Sequence, residues 1–324
     1  MATYYGTYGQ KVQYLASDPS DPQTGQVWYN STSAVLKVRG VTTAGSWASG
    51  GNMATARAYL GGAGIQTAAL AFGGYTGANT TATEEYDGTS WTSGGNLGNS
   101  KRVLGSCGTQ TAGLSMGGYD GANQVSQTEE YDGTSWTAGG NLSTGRYGIM
   151  GAGIQTAALA AGGDNGSNPV GTTEEYDGTS WTSGGTMATA RQAGGGVGTQ
   201  TAGLAFGGVS PGTATEEYDG TSWTAGGSLT TGRSYIAGSG TQTAALGFGG
   251  QSTPGPSSAA TEAYNGTSWT SETSLSTARY GLGGAMAGTQ SSTAAFGGES
   301  PPFRASTEEF TGAGAAVTRT VTVS

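Results

Sequence analysis

Thr83–Trp91 reads TEEYDGTSW, and the string returns letter for letter at 128–136, 173–181 and 215–223, then as TEAYNGTSW at 261–269. The starts at 83, 128, 173, 215 and 261 are 45, 45, 42 and 46 residues apart. A period of this size means one supersecondary unit used repeatedly, because so short a unit cannot bury its apolar face without copies of itself beside it. Either the nonapeptide is a catalytic site carrying three acids or it is a structural device.

Composition narrows the class. The 324 residues include 64 glycines, and only 10 % are charged, which leaves little material for amphipathic helices. No window reaches the 18 or so apolar residues of a spanning helix, and the start MATYYGTYGQ lacks the basic-then-apolar layout of a secretory signal, so no membrane insertion is expected. The lone Cys107 cannot form an internal disulfide. The absence of histidine removes the usual metal ligand and the usual neutral-pH proton shuttle. A net charge of −9, drawn largely from the repeats, predicts an acidic surface and argues against a nucleic-acid partner.

Each unit holds four segments in fixed order. The first follows an arginine (Arg57, Arg102, Arg146, Arg191, Arg233, Arg279) and is rich in Gly and Ala, as in AYLGGAG. The second is an apolar run ending in a glycine pair, as in TAALAFGG at 67–74. TEEY is the third, and the fourth begins at the tryptophan. Short apolar runs between Gly-rich turns predict strands, and four of them a meander. Asp-Gly after the tyrosine predicts a hairpin connection with positive φ angles, and its replacement by Asn265-Gly266 keeps the turn while losing the charge. Adjacent glutamates on a strand point to opposite faces, so each pair is expected to be structural, with one member paired to the repeat arginine. The periodic tryptophans are expected to pack between units.

A glycine pair closing the second strand, then a tyrosine, then a tryptophan opening the fourth, resembles the kelch repeat over residues 47–310. The resemblance implies an all-β fold: a six-bladed kelch-like β-propeller of four-stranded antiparallel blades. Trp47 has no TEEY before it and TEEF at 307–310 has no tryptophan after it, so the N-terminal strand is expected to close the last blade. The unit is shorter than the ~50 residues usual for kelch. Galactose oxidase shares that architecture, but without histidine its copper ligand set cannot be assembled here. No metal, no cofactor and no enzymatic activity are expected.

The domain boundaries expected are 1–42, an attachment segment with a β-hairpin; 43–312, the propeller; and 313–324, a C-terminal strand or tail. Residues 18–40, DPSDPQTGQVWYNSTSAVLKVRG, resemble a short element recurring in bacteriophage tail fibres and other virion proteins. QVWYN and AVLKVR read as strands joined by Ser31-Thr32-Ser33, and one hairpin cannot bury a core alone. It needs a partner surface: the propeller, further copies, or another virion protein. Tyr4, Tyr5, Tyr8 and Tyr14 in the head suit an interface.

What varies between units is the connection from second to third strand: YTGANTTA, YDGANQVSQ, DNGSNPVGT, VSPGTA, QSTPGPSSAA and ESPPFRAS. Recognition concentrates in loops on a rigid scaffold. The candidate ligand-binding residues are therefore Tyr75, Asn79, Tyr119, Asp120, Asn123, Asp164, Asn165, Asn168, Phe303 and Arg304. Asp164–Asn168 also offers oxygen ligands for Ca²⁺, without the spacing of an EF-hand loop, and reads better as a solvated turn. The function expected is a non-enzymatic virion protein, displayed as a homo-oligomer, that recognises host-surface glycans or proteins or decorates the capsid or tail. The alternative is a secreted or cell-surface carbohydrate-binding lectin.

Overall fold

The computed structural model describes residues 12–22, 25–41, 44–313 and 316–321; the expected interface role of Tyr4, Tyr5 and Tyr8 lies outside these. The chain forms two compact units, one of residues 47–310 and one of the segments flanking them. The described residues contain strands and no helix.

In the larger unit, Gly61–Ile65, Ala68–Phe72, Thr83–Tyr86 and Trp91–Ser93 form a four-stranded sheet in chain order. Its pairings are antiparallel throughout. Gly105–Gly108, Gly113–Met116, Thr128–Tyr131 and Trp136–Ala138 repeat it, as do the sheets from Met150–Ile154 to Trp181–Ser183 and from Gly195–Thr199 to Trp223–Ala225. A fifth sheet runs Ala237–Thr241, Ala244–Phe248, Thr261–Tyr264 and Trp269–Glu272. The sixth joins Gly283–Gly284, Ser292–Phe296 and Thr307–Thr311 to Ser46–Ser49, so its outer strand comes from the other end of the chain. Repeated four-stranded antiparallel sheets of this kind are consistent with a propeller.

Residue choice follows crowding. First strands are Gly and Ala because their neighbours leave no room: a Cβ on Gly62 would sit 2.4 Å from the Gly284 carbonyl oxygen. Second strands are buried almost end to end, which suits the continuous run AALAF. They end on Gly73 and Gly74, at φ +62° and +103°, conformations that other residues resist.

Just before each first strand the backbone is tied to the sheets on either side. Tyr59 N–H donates to Gly281 O (2.6 Å), Val103 to Tyr59 (2.8 Å), Gly148 to Val103 (2.7 Å), Ala193 to Gly148 (2.8 Å), Tyr235 to Ala193 (2.6 Å) and Gly281 to Tyr235 (3.0 Å). Six hydrogen bonds thus return to their starting residue. All six residues have positive φ, from +50° at Tyr235 to +67° at Gly148, and in Val103 (+52°) this is a conformation a β-branched side chain strongly resists.

The nonapeptide is a structural device. Glu84 is buried and meets Arg57 at 2.8 Å; the same pair recurs as Arg146–Glu174, Arg191–Glu216, Arg233–Glu262 and Arg279–Glu308. In the second sheet the cation is Lys101, paired with Glu129 at 3.1 Å, and this corrects the assignment of Arg102 to the set. The chain there carries Lys-Arg, and lysine takes the buried place. Because these glutamates are interior, the acidic surface expected from the repeats is smaller than their acid count implies.

The second glutamate points the other way, as alternation requires. Glu85 accepts the Tyr131 hydroxyl of the next sheet at 2.5 Å, and Glu130–Tyr176, Glu175–Tyr218, Glu217–Tyr264 and Glu309–Tyr86 repeat the link. Tryptophan reaches back: Trp136 Nε1 donates to Thr83 Oγ1 of the preceding sheet at 2.9 Å while its ring packs on Phe72. The glutamine of each GTQT-like turn also bridges sheets, as Gln110 Nε2 donates to Ala69 O (3.1 Å) and Tyr86 O (2.6 Å). That role went unread in the sequence, although the recurring Gln-Thr was its signal.

Between the fifth and sixth sheets three departures from the repeat, beside Thr273 for the second glycine of WTSGG, go together. Ala263 stands for the second glutamate, Phe310 for the tyrosine and Glu272 for the first glycine of WTSGG. A Cβ on the equivalent Gly94 would lie 2.6 Å from the Tyr131 hydroxyl. Without a hydroxyl on Phe310, neither the acceptor nor the glycine is required.

The hairpin expectation needs adjustment. Gly88 takes the positive φ of +89°, whereas Asp87 is not among the left-handed residues. Instead Asp87 Oδ1 accepts the amides of Thr89 (2.8 Å) and Ser90 (2.7 Å), and Asn265 Oδ1 accepts its counterparts at 2.9 Å each. These hydrogen bonds hold the Asp87 carboxyl below its usual range.

In the smaller unit Val27–Asn30 and Val35–Val41 form the expected antiparallel hairpin. Gln13–Leu15 adds to it in parallel and Ala316–Val321 pairs antiparallel with Val35–Val41. The segments assigned separately to 1–42 and 313–324 therefore share one sheet, and the hairpin finds a neighbouring strand within its own chain. Asp18 organises it by accepting Trp28 Nε1 (3.1 Å) and Asn30 Nδ2 (2.7 Å) and pairing with Lys37 (2.5 Å), and these donors lower its pKa to about 2.

Candidate functional site

The variable loops meet the ring of left-handed residues at one end of the larger unit. Tyr59, Tyr75, Arg102, Val103, Tyr119, Gln124, Tyr147, Tyr235, Glu299 and Phe303 line a cleft of 610 Å³ there. Each aromatic is set by backbone geometry. Tyr59 and Tyr235 occupy ring positions, so positive φ lifts their side chains into the cleft. Tyr75 and Tyr119 directly follow glycine pairs, and antiparallel bridges tie them to Ala58 and Arg102.

Tyr59, Tyr235 and Tyr280 contact one another edge to face or tilted, with centroids 5.3, 5.9 and 6.2 Å apart. Rings this close leave no space for a group between them, so they make a floor rather than a cage. Tyr59 donates its hydroxyl to Glu299 at 3.2 Å. Burial pushes the Tyr59 and Tyr235 hydroxyls up in pKa, so both are protonated donors at neutral pH. On one wall the Arg102 guanidinium lies 4.4 Å from the Tyr75 ring centre and 5.2 Å from that of Tyr119. Such cation–π contacts hold the head group in place.

The predicted residues divide. Tyr75, Tyr119 and Phe303 line the cleft, with Tyr75 and Phe303 edge to face at 5.8 Å. Asn79 braces it, donating to Tyr119 O (3.0 Å) and accepting from Arg102 (3.4 Å). Asp120 closes its own turn by accepting the amides of Ala122 and Asn123 at 2.7 Å each, and its side chain is exposed with Asn123 on the outer rim. Asp164 is buried, its oxygens taken by Gly166 N–H (2.7 Å) and Gln192 (3.1 Å), while Asn165 accepts the amides of Ser167 and Asn168. Those oxygens serve the turn, and Asn168 is exposed. Arg304 is half-buried behind Phe303 and does not line the cleft.

Sequence reasoning missed Tyr59, Tyr147, Tyr235, Glu299 and Arg102 as cleft residues, and Tyr280 as the ring packed against Tyr59 and Tyr235. For those that follow the repeat cation the signal was present: the next two residues read Ala-Tyr, Arg-Val, Tyr-Gly, Gln-Ala, Ser-Tyr and Tyr-Gly from the first unit to the sixth. At the opposite end of the sheets a second hollow of 370 Å³ is lined by small residues, Ile154, Met286 and Cys107. It contains no charged group, and burial drives the Cys107 thiol up. Among the described residues no cluster of three or more His, Cys, Asp or Glu side chains is placed to hold a metal ion. No helix among them is long and apolar enough to cross a membrane.

No known family model matches the chain, and no curated protein matches it.

Proposed function

We propose that the chain is a six-bladed kelch-like β-propeller, closed by Ser46–Ser49 in its last blade, that serves as a non-enzymatic recognition module of a bacteriophage virion. The returning set of six backbone hydrogen bonds supports the blade count. The resemblance of residues 18–40 to virion proteins supports the setting, with the small N-terminal unit contacting other virion proteins in a homo-oligomeric fibre or a capsid or tail decoration. The loop end then faces host-surface glycans or proteins in the extracellular medium.

One observation carries the recognition role. Buried positions are nearly invariant from repeat to repeat, whereas the cleft gathers aromatic and polar side chains from positions that vary among the repeats. Packing does not require that difference, and a concave aromatic site with a few polar groups is the usual form of a ligand site. The same cleft would serve a secreted or cell-surface lectin, so the lectin reading stays second only because nothing in it accounts for residues 18–40. The deciding experiment is a titration of binding to bacterial cells with Tyr75→Ala/Tyr119→Ala beside Thr134→Ala/Ser135→Ala. Loss of attachment in the first variant alone, with melting temperatures within a few degrees, is expected. Loss only in the second, or in neither, overturns the assignment of this end as the recognition surface.

A further inference from the structure

We infer that the axial cleft binds a pyranose bearing a carboxylate, with Arg102 as the anchor for the acid group. The inference rests on the recognition role proposed above and adds the ligand class.

Charge supplies the first step. Two charged side chains line the cleft, Arg102 and Glu299, and the carboxylate is engaged internally by the Tyr59 hydroxyl. Asp164, off the lining, is likewise held by Gln192 and the Gly166 amide. Arg102 differs from the other repeat cations. Lys101 has taken the buried place against Glu129, and Arg102 is left with a single 3.4 Å contact to the neutral Asn79 amide oxygen. It stays half-buried at the cleft wall and oriented by two aromatic rings. A guanidinium held against two rings, with most of its donors unspent, is built for a planar two-oxygen acceptor, and a carboxylate matches that fork.

The aromatic floor supplies the second. Tyr59 and Tyr235 present ring edges and faces beside hydroxyls that remain protonated, a mixture suited to a ligand with apolar C–H faces and an equatorial fringe of hydroxyls. A purely apolar ligand would leave Gln124 facing it unpaired, and a flat anion without C–H faces would leave the tyrosines unused. A volume of 610 Å³ admits one or two sugar rings. Ring plus carboxylate on one small ligand describes a hexuronic acid or a comparable acidic sugar.

The test uses the full chain against immobilised hexuronic-acid oligosaccharides, the same oligosaccharides after chemical reduction of their carboxyls to alcohols, and neutral oligosaccharides carrying sulfate esters. Binding of the acid forms is expected to exceed that of the reduced forms at least tenfold. Arg102→Gln should bring the acid forms down to the reduced level without moving the melting temperature, and Arg102→Lys should recover only part, since a point charge replaces the fork. Equal binding of acid and reduced forms, or no effect of Arg102→Gln in a protein that melts normally, overturns the carboxylate anchor and leaves a sugar-binding module in place. Sulfated sugars binding as tightly as uronides would show general anion capture and equally overturn it. If no sugar binds while cells are still captured through Tyr75 and Tyr119, the ligand class is wrong and the recognition role stands; if cell capture is also absent, the recognition role falls too.

Discussion

Gly94→Ala measures how the sheets are locked together. Gly94 lies outside the left-handed region, so alanine meets no backbone penalty. Its Cβ would instead stand 2.6 Å from the Tyr131 hydroxyl and 3.1 Å from Glu85 Oε1. Carbon contacts settle near 3.5–4.0 Å, so the ring must retreat by about 1 Å. Tyr131 is fully buried against Ala63, Leu70, Phe72 and Leu104, and retreat also stretches its 2.5 Å hydrogen bond to Glu85. Overpacking costs about 1–3 kcal/mol and a hydrogen bond to a charged group is worth about 1.5–3 kcal/mol, which puts Gly94→Ala at roughly 2–4 kcal/mol. Tyr131→Phe removes the clashing atom together with the bond. In that background alanine should cost under about 1 kcal/mol, a coupling of at least ~1 kcal/mol, when distant sites add to within about 0.5 kcal/mol. The four proteins of the cycle are compared by urea unfolding. Additive effects would refute the reasoning, and with it the account of Glu272, Phe310 and Ala263 as one joint departure.

Glu174→Ala leaves Arg146 buried without its 2.6 Å partner and frees the Ser143 amide it accepts, for about 3–5 kcal/mol. A melting temperature lowered by roughly 6–20 °C is expected by calorimetry, and replacing both residues by Met and Leu should restore much of it. Burial and the neighbouring glutamate raise Tyr131 to about 12, as burial and the equivalent glutamate do for Tyr86, Tyr176, Tyr218 and Tyr264. Because the unfolded side chain titrates near 10, the native state holds more protons between about pH 10 and 12; this stabilisation is complete below pH 10 and is lost as pH rises. Melting temperatures followed from pH 9 to 12 should fall steeply, and less steeply in Tyr131→Phe; identical slopes would show that these hydroxyls are not protected.

Repetition made much of the architecture legible in one dimension. A strand that recurs with the same inward and outward residues must face the same surroundings each time, so TEEY, the glycine pairs and the tryptophans could be placed before any coordinates. The pairing of Trp47 with the last repeat followed from what each end lacked. Even the interface between the fifth and sixth sheets was written in TEAY, WTSET and TEEF, where Ala263, Glu272 and Phe310 share one cause.

Only the tertiary structure decided which residues converge. The cleft takes Tyr59 from one repeat, Arg102 from another, Tyr235 and Glu299 from two more, positions separated by up to 240 residues in sequence and joined where the six ring amides turn left-handed. Whether Lys101 or Arg102 enters the interior depends on one residue of register, which neighbouring basic residues do not specify but a single buried glutamate does. Local pattern determines how each sheet is built because each sheet's contacts repeat with the sequence. The site arises from the places where the repeats differ, and those differences acquire meaning only when the sheets are brought round a common end.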